Sequence, residues 1–258
     1  MKEMQCTVSG NCVRRKNGRT KRYDKPIIFV NGFAIVVKNG GYGFIDKRGF
    51  EICSLRYEAV SNFLNGFAIV KLKGKYGFLN ERGKVVGAIC YDSVKPFMGG
   101  FAPVKVKDKY GYLNSHGTMI CKPKYDNAWY FQNNFAVIML GDKYGFLKTN
   151  GEELCAPIYE EVWGFRDDYA IVKNNGKLGF VNQEGKEVCP CKYDEIGEFE
   201  RGVAKVRIGD KYGYVDKEGN EICPVKYDSI SPFEDGYASM SVGGQRGRVN
   251  KKGMEYWE

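Results

Sequence analysis

The chain has 258 residues, 43% of them hydrophobic and 28% charged, with a formal net charge of +9. No run of 18 apolar residues is present, which excludes a transmembrane helix, and the first ten residues lack the apolar segment of a secretory signal. Nine cysteines without a CxxC pair and one histidine, His116, give weak support to a metal site. The expectation is therefore a cytoplasmic chain with reduced thiols, no metal and no cofactor.

Taken in chain order, residues 1–22 read as a basic leader or N-terminal cap. Residues 1–25 hold eight cations against Glu3 and Asp24, a net of +6, and the remaining chain carries only +3. Residues 23–258 then repeat one 34-residue unit seven times. Tyr stands at 23, 57, 91, 125, 159, 193 and 227. Counting columns from that Tyr, Phe fills column 6 (Phe29 to Phe233), Ala column 11 (Ala34 to Ala238) and Gly column 20 (Gly43 to Gly247). A fixed period of this length marks a solenoid, propeller or array, and such chains are usually binding surfaces.

Within the second copy, Ala59-Val60-Ser61-Asn62-Phe63 predicts a short strand and Asn65-Gly66 a turn. Phe67-Ala68-Ile69-Val70-Lys71-Leu72 is a second strand, rich in β-branched residues. Lys73-Gly74-Lys75 turns into the strand Tyr76-Gly77-Phe78-Leu79-Asn80. Glu81-Arg82-Gly83 turns again, and Lys84-Val85-Val86 starts a last short strand. No segment has helical apolar spacing. Each unit is thus an antiparallel meander of three to four strands.

The fixed columns carry physical expectations. A strand glycine marks a bulge or a close backbone approach, and a neighbouring repeat is expected to press on column 20. Gly at column 26 ends turns and calls for positive φ. The residue after each Tyr is always acidic, and column 18 is Lys in five copies (Lys75, Lys109, Lys143, Lys177, Lys211). These acids are expected to accept turn N–H groups or to meet that Lys. Cys53, Cys121, Cys155, Cys189 and Cys223 share column 30 with Gly87 and Trp257, which reads as a packing position.

On these residues the chain resembles the bacterial WG-repeat family. The unit is "acidic-x-x-x-x-Phe…Gly-x-Ala-x-Val…Lys-aromatic-Gly-Phe-Ile-Asp-x-x-Gly", as in Lys211-Tyr212-Gly213-Tyr214-Val215-Asp216-Lys217-Glu218-Gly219, and it covers 23–258. The family's Trp-Gly is Tyr-Gly here, Leu178-Gly179 in repeat five and Arg246-Gly247 in repeat seven. The resemblance implies an all-β repeat protein and no catalytic residues. The array is read as an open, solenoid-like superhelix, because 34 residues are few for a propeller blade and Arg246 and Arg248 make the last unit polar, as a cap would be. A closed, seven-bladed propeller-like ring is the alternative.

Catalytic motifs such as GxSxG, the P-loop and HExxH are absent, so no enzyme is expected. Irregular columns offer the candidate sites. Column 4 holds Ile27, Ser61, Lys95, Gly197 and Ser231, but Trp129 and Trp163 in adjacent copies, a candidate ligand platform. In the leader Arg14, Arg15, Lys16, Arg19, Lys21 and Arg22 are candidates for an acidic partner. The first reading is a non-enzymatic repeat scaffold for protein–protein interaction. Alternatives are a carbohydrate- or small-ligand-binding module and nucleic-acid binding through the leader. No membrane partner is expected.

Overall fold

The structure is a computed structural model that describes residues 7–14 and 19–258. Among the described residues there are 30 strands and no helix. The chain falls into two compact units. Unit 1 is Met1–Phe131 with Thr149–Glu152, and unit 2 is Gln132–Lys148 with Glu153–Glu258.

In unit 1 the leader makes a three-stranded antiparallel sheet of Thr7–Ser9, Cys12–Arg14 and Thr20–Arg22. It docks on repeat 1 through two backbone bonds, Tyr23 N–H to Asn11 O and Ile27 N–H to Gly10 O. Val13, Tyr23, Ala34, Val36 and Ile45 form the shared core. Repeat 2 is the four-stranded sheet Ala59–Val60, Phe67–Leu72, Lys75–Asn80 and Val85–Tyr91, in chain order. In unit 2, repeats 5, 6 and 7 repeat that order, and none of these sheets closes into a barrel.

Two strands depart from the expected lengths. The first strand of repeat 2 ends after Val60; beyond it the Ser61 N–H still bonds the Ile69 carbonyl and the Ser61 hydroxyl takes the Ile69 N–H, both at 2.9 Å. The last strand is seven residues long and bulges: Val86 pairs with Phe78, and the next pair is Tyr91 with Tyr76. The equivalent bulge in repeat 4 folds the backbone of Cys155 and Ala156 over Gly145. A Cβ on Gly145 would stand 2.4 Å from the Cys155 carbonyl oxygen. Column 20 is therefore glycine because of its own repeat's next strand, and not because of a neighbouring repeat as expected.

The neighbour is met at column 26. Gly219 has φ +86, and its Cβ would lie 1.7 Å from the Val188 carbonyl oxygen of the preceding repeat. The turn geometry and the inter-repeat contact both exclude a side chain there.

Side chains link repeats in three further ways. The column 6 Phe plugs the preceding repeat between columns 10 and 21. Phe97 meets Phe67 at 4.2 Å and Phe78 at 4.7 Å, and Phe199 meets Tyr169 at 4.7 Å and Phe180 at 4.6 Å. Such offset and edge-on pairs add about 0.5–1.5 kcal/mol to the burial itself. The column 18 Lys bonds the next repeat's acidic residue in both units. Lys109 to Asp126 and Lys177 to Asp194 measure 2.5 Å, and Lys75 to Asp92 and Lys211 to Asp228 are the same contact. The acids also accept turn N–H groups, Asp194 from Gly209 at 2.8 Å. Both expected roles of the acidic column are thus present together. The third link is an amide bond at column 8, as from the Asn65 side chain to the Phe97 carbonyl at 2.8 Å.

Candidate functional site

The two tryptophans of column 4 follow a buried or half-buried column 3 and point outward, as strand alternation requires. Trp129 is 38% exposed and Trp163 44%. The Trp129 carbonyl accepts the Tyr112 hydroxyl at 2.6 Å, and the Trp163 N–H bonds the Ile171 carbonyl at 2.9 Å. Trp129 belongs to unit 1 and Trp163 to unit 2. Trp163 lines a cleft within its unit.

The leader cations have separate environments. Arg14, Arg19 and Arg22 are exposed. Lys21 is half-buried, and its amine is held by Glu51 at 2.5 Å. Arg15 and Lys16 lie outside the described residues.

The cleft of unit 2 has a volume of about 850 Å³ and opens between repeats 5 and 6. Its apolar wall is Phe165, Tyr169, Ile171, Phe180, Ile196 and Phe199, with Trp163 beside them. Its polar groups are Gln132, Arg166, Asp167, Glu198, Arg201 and Lys217, three cations against two carboxylates. Arg166 is paired with Glu198 across the junction, and Lys217 with Asp168 at 3.6 Å. Lys217 also lies over the Tyr169 ring, 5.6 Å from its centroid. Among the described residues no ion pair is recorded for Arg201.

Three departures from the repeat pattern make this cleft. At three of the other junctions column 8 is Asn and donates its amide to the next repeat's Phe carbonyl: Asn31 to Phe63 at 3.3 Å, Asn65 to Phe97 at 2.8 Å, Asn133 to Phe165 at 3.2 Å. Asp167 holds that column in repeat 5, and an ionised carboxylate has no N–H to give. Column 5 is Gly164 where other copies carry Ile28, Asn62, Pro96, Tyr130, Glu198 and Pro232. Column 4 of repeat 6 is Gly197. Neither glycine needs to be one. Neither has a left-handed φ; a Cβ on Gly164 would meet only the Gln132 Oε1 at 3.9 Å, and one on Gly197 the Lys205 carbonyl oxygen at 3.5 Å. Sequence reasoning singled out Trp163 but missed Gly164, Asp167, Gly197 and Arg201. The available signal was each residue's departure from its own column.

The cysteine column is packed, as its mixed occupancy implied: Cys121, Cys155, Cys189 and Cys223 are buried and Cys53 half-buried. Burial pushes the Cys155 thiol up to about 11 and those of Cys191 and Cys223 to about 12. Such thiols hold their protons at neutral pH, which makes them poor nucleophiles. His116 sits exposed in its turn, its N–H bonded to the Asn114 side chain at 3.1 Å. Among the described residues no three His, Cys, Asp or Glu side chains gather in a metal-binding group.

Six segments, 42–76, 76–110, 110–144, 144–177, 179–212 and 212–245, match the family profile described as WG containing repeat. No curated protein matches the chain. Among solved structures, a eukaryotic initiation factor is similar at 10% identity over 97% of this chain and 82% of its own, with a TM-score of 0.35. Hsv2p of Kluyveromyces lactis is 10% identical over 99% of this chain and 94% of its own, with a TM-score of 0.34. PorZ, a bacterial surface component of the type-IX secretion system of Porphyromonas gingivalis, is 10% identical over 100% of this chain and 39% of its own, with a TM-score of 0.31. Scores this low leave the fold to be read from the chain itself.

Proposed function

The chain belongs to the WG-containing repeat family, and from that premise we propose that it is a non-enzymatic repeat scaffold whose unit 1 offers an apolar surface to another protein. The observation that supports this reading is column 7. In three consecutive repeats it carries Val30, Leu64 and Met98, exposed by 38%, 49% and 42%. Consecutive copies are held close together: the Asn65 amide reaches both the Phe97 carbonyl and, at 3.3 Å, the Met98 sulfur. In unit 2 the same column is Gln132, Arg166, Glu200 and Glu234. Repeated apolar exposure in one column is the surface that a protein partner buries. The non-enzymatic part of the reading is supported by the repeated acids, which are engaged in the Lys pairs, and by the raised thiols.

We place this scaffold in the cytoplasm, a location in keeping with its packed column of thiols. The test is affinity capture from cell extract with the intact chain, with Leu64→Glu/Met98→Glu, and with Arg166→Ala/Glu200→Ala as the comparison. The expected result is a protein partner lost only with the first pair of substitutions. An identical set of captured proteins in all three samples overturns the reading.

A further inference from the structure

We infer that the unit 2 cleft is a binding site for an acidic oligosaccharide, a ligand with a carboxylate, hydroxyl groups and apolar ring faces. This goes beyond the scaffold reading and uses a different part of the molecule.

Gly164 and Gly197 are free of backbone strain, and a Cβ at either would be accommodated. Every other copy except repeat 6 fills column 4 with a side chain, and every copy except repeat 5 fills column 5. Folding does not require these two glycines, and their effect is to leave open a cleft of about 850 Å³, within the size range of ligand sites.

The wall chemistry selects the ligand. Trp163, 44% exposed at the cleft, offers a flat ring to an apolar ring face. Gln132 both donates and accepts, Asp167 and Glu198 accept, and Arg166, Arg201 and Lys217 donate. Donors and acceptors in one cleft suit hydroxyl groups, which do both. A purely apolar peptide would leave the polar groups unmatched.

The charge supplies the last element. Two of the three lining cations already face carboxylates, Arg166 with Glu198 and Lys217 with Asp168. Arg201 is the third. Column 8 is left-handed in every described copy, a conformation suited to its Asn, Asp and Gly residues. Arg201 adopts it too, at φ 50, with a long side chain that gains nothing from that backbone. A guanidinium at the cleft wall can grip a carboxylate through two parallel N–H bonds.

The experiment titrates the full chain with tetragalacturonate, tetramannuronate and the neutral maltotetraose, by calorimetry and by Trp163 emission in a Trp129→Phe/Trp257→Phe background. At least one acidic probe is expected to bind at least tenfold tighter than maltotetraose and to shift Trp163 emission. Arg201→Gln is expected to erase that preference. Gly164→Leu, which fills the cleft, is expected to weaken binding at least tenfold with an unchanged melting temperature. The inference is overturned if neither acidic probe binds at millimolar concentration, if Arg201→Gln leaves the preference intact, or if folded Gly164→Leu binds as well as the parent. Arg201 is exposed, so its variant decides the matter even if Gly164→Leu fails to fold. Loss of the protein partner with Leu64→Glu/Met98→Glu is independent of all three outcomes.

Discussion

The junction between repeats 2 and 3 in unit 1 and the junction between repeats 5 and 6 in unit 2 are built from the same columns, yet one leaves a small hollow and the other a wide cleft. At the first, a hollow of about 350 Å³ is lined by Asn31, Ser61, Asn62, Leu64, Pro96 and neighbouring aromatic rings, without one charged residue. At the second, the cleft of about 850 Å³ has five charged side chains in its wall. Both keep the Phe plug and the Lys–Asp pair. The difference arises where side chains bridge or fill: Asn65 against Asp167, Asn62 against Gly164, Lys95 against Gly197. In an array held together by nearest-neighbour contacts, one junction can be opened locally while the links that hold the stack stay in place.

The largest expected effect comes from removing the plugs. Phe97 is 1% exposed between Phe67 and Phe78, and Phe97→Ala is expected to cost about 3–5 kcal/mol. Phe199 is only half-buried at the open junction, and Phe199→Ala is expected to cost markedly less. Denaturant titration of both variants reads the difference, and equal losses would break the comparison. Next in size are two glycines of unit 2. Gly145→Val forces a branched side chain against the Cys155 backbone and is expected to cost about 1–3 kcal/mol. Gly164→Ala enters open space and is expected to gain about 0.4–1 kcal/mol by restricting the unfolded chain. A loss of stability in Gly164→Ala would mean that the glycine is required by the fold, which removes the reason to see the cleft as selected.

These contrasts also show what the sequence could reveal. Tyr193, Phe199 and Ala204 were legible because seven copies report on one contact, and repetition turns a weak preference into a fixed column. The pairing of Lys177 with Asp194 was legible for the same reason. The strand bulge over Gly145 was half legible: the glycine announced a close approach, but the approaching strand depends on how many residues the bulge absorbs, which leaves no composition signal. Gly164, Gly197 and Arg201 were not read, because each is a single departure within a tolerant column. A cleft is made by absent side chains, and absence has no period. The leader's sheet was missed because three short strands in a basic segment carry no apolar alternation.

A smaller effect is expected from exchanging the column 8 residues. Asn65→Asp removes the amide that serves the Phe97 carbonyl at 2.8 Å, and a net loss of about 0.5–1.5 kcal/mol follows. The reverse exchange, Asp167→Asn, is expected to restore a bridge to the Phe199 carbonyl and to raise the melting temperature by the corresponding small amount. It is also expected to narrow the cleft, visible as reduced quenching of Trp163 emission by iodide. If Asp167→Asn leaves both readings unchanged, the missing amide is not what opens the junction.

The smallest effect concerns what the two junctions share. The Lys75 amine holds the Asp92 carboxyl below the usual aspartate range, and the Lys177 amine does the same for Asp194. A carboxylate with a depressed folded-state pKa contributes stability that is fully present above its unfolded value, about 4, and is lost as pH falls through the folded value. The melting temperature is therefore expected to be flat from neutral pH down to about 5 and to decline below about 4. Lys75→Met and Lys177→Met should each blunt that acid decline. Both pairs lie in solvent, with the Lys75 side chain 48% exposed and that of Lys177 40%, so each contribution is modest and reduced by salt. Because the Lys–Asp contact is the same at the narrow and the wide junction, the two variants are expected to shift the acid limb equally. A larger shift for Lys177→Met would show that the open junction leans on its ion pair in place of the lost amide, and the opening would then be a redistribution of contacts across the junction instead of a local removal.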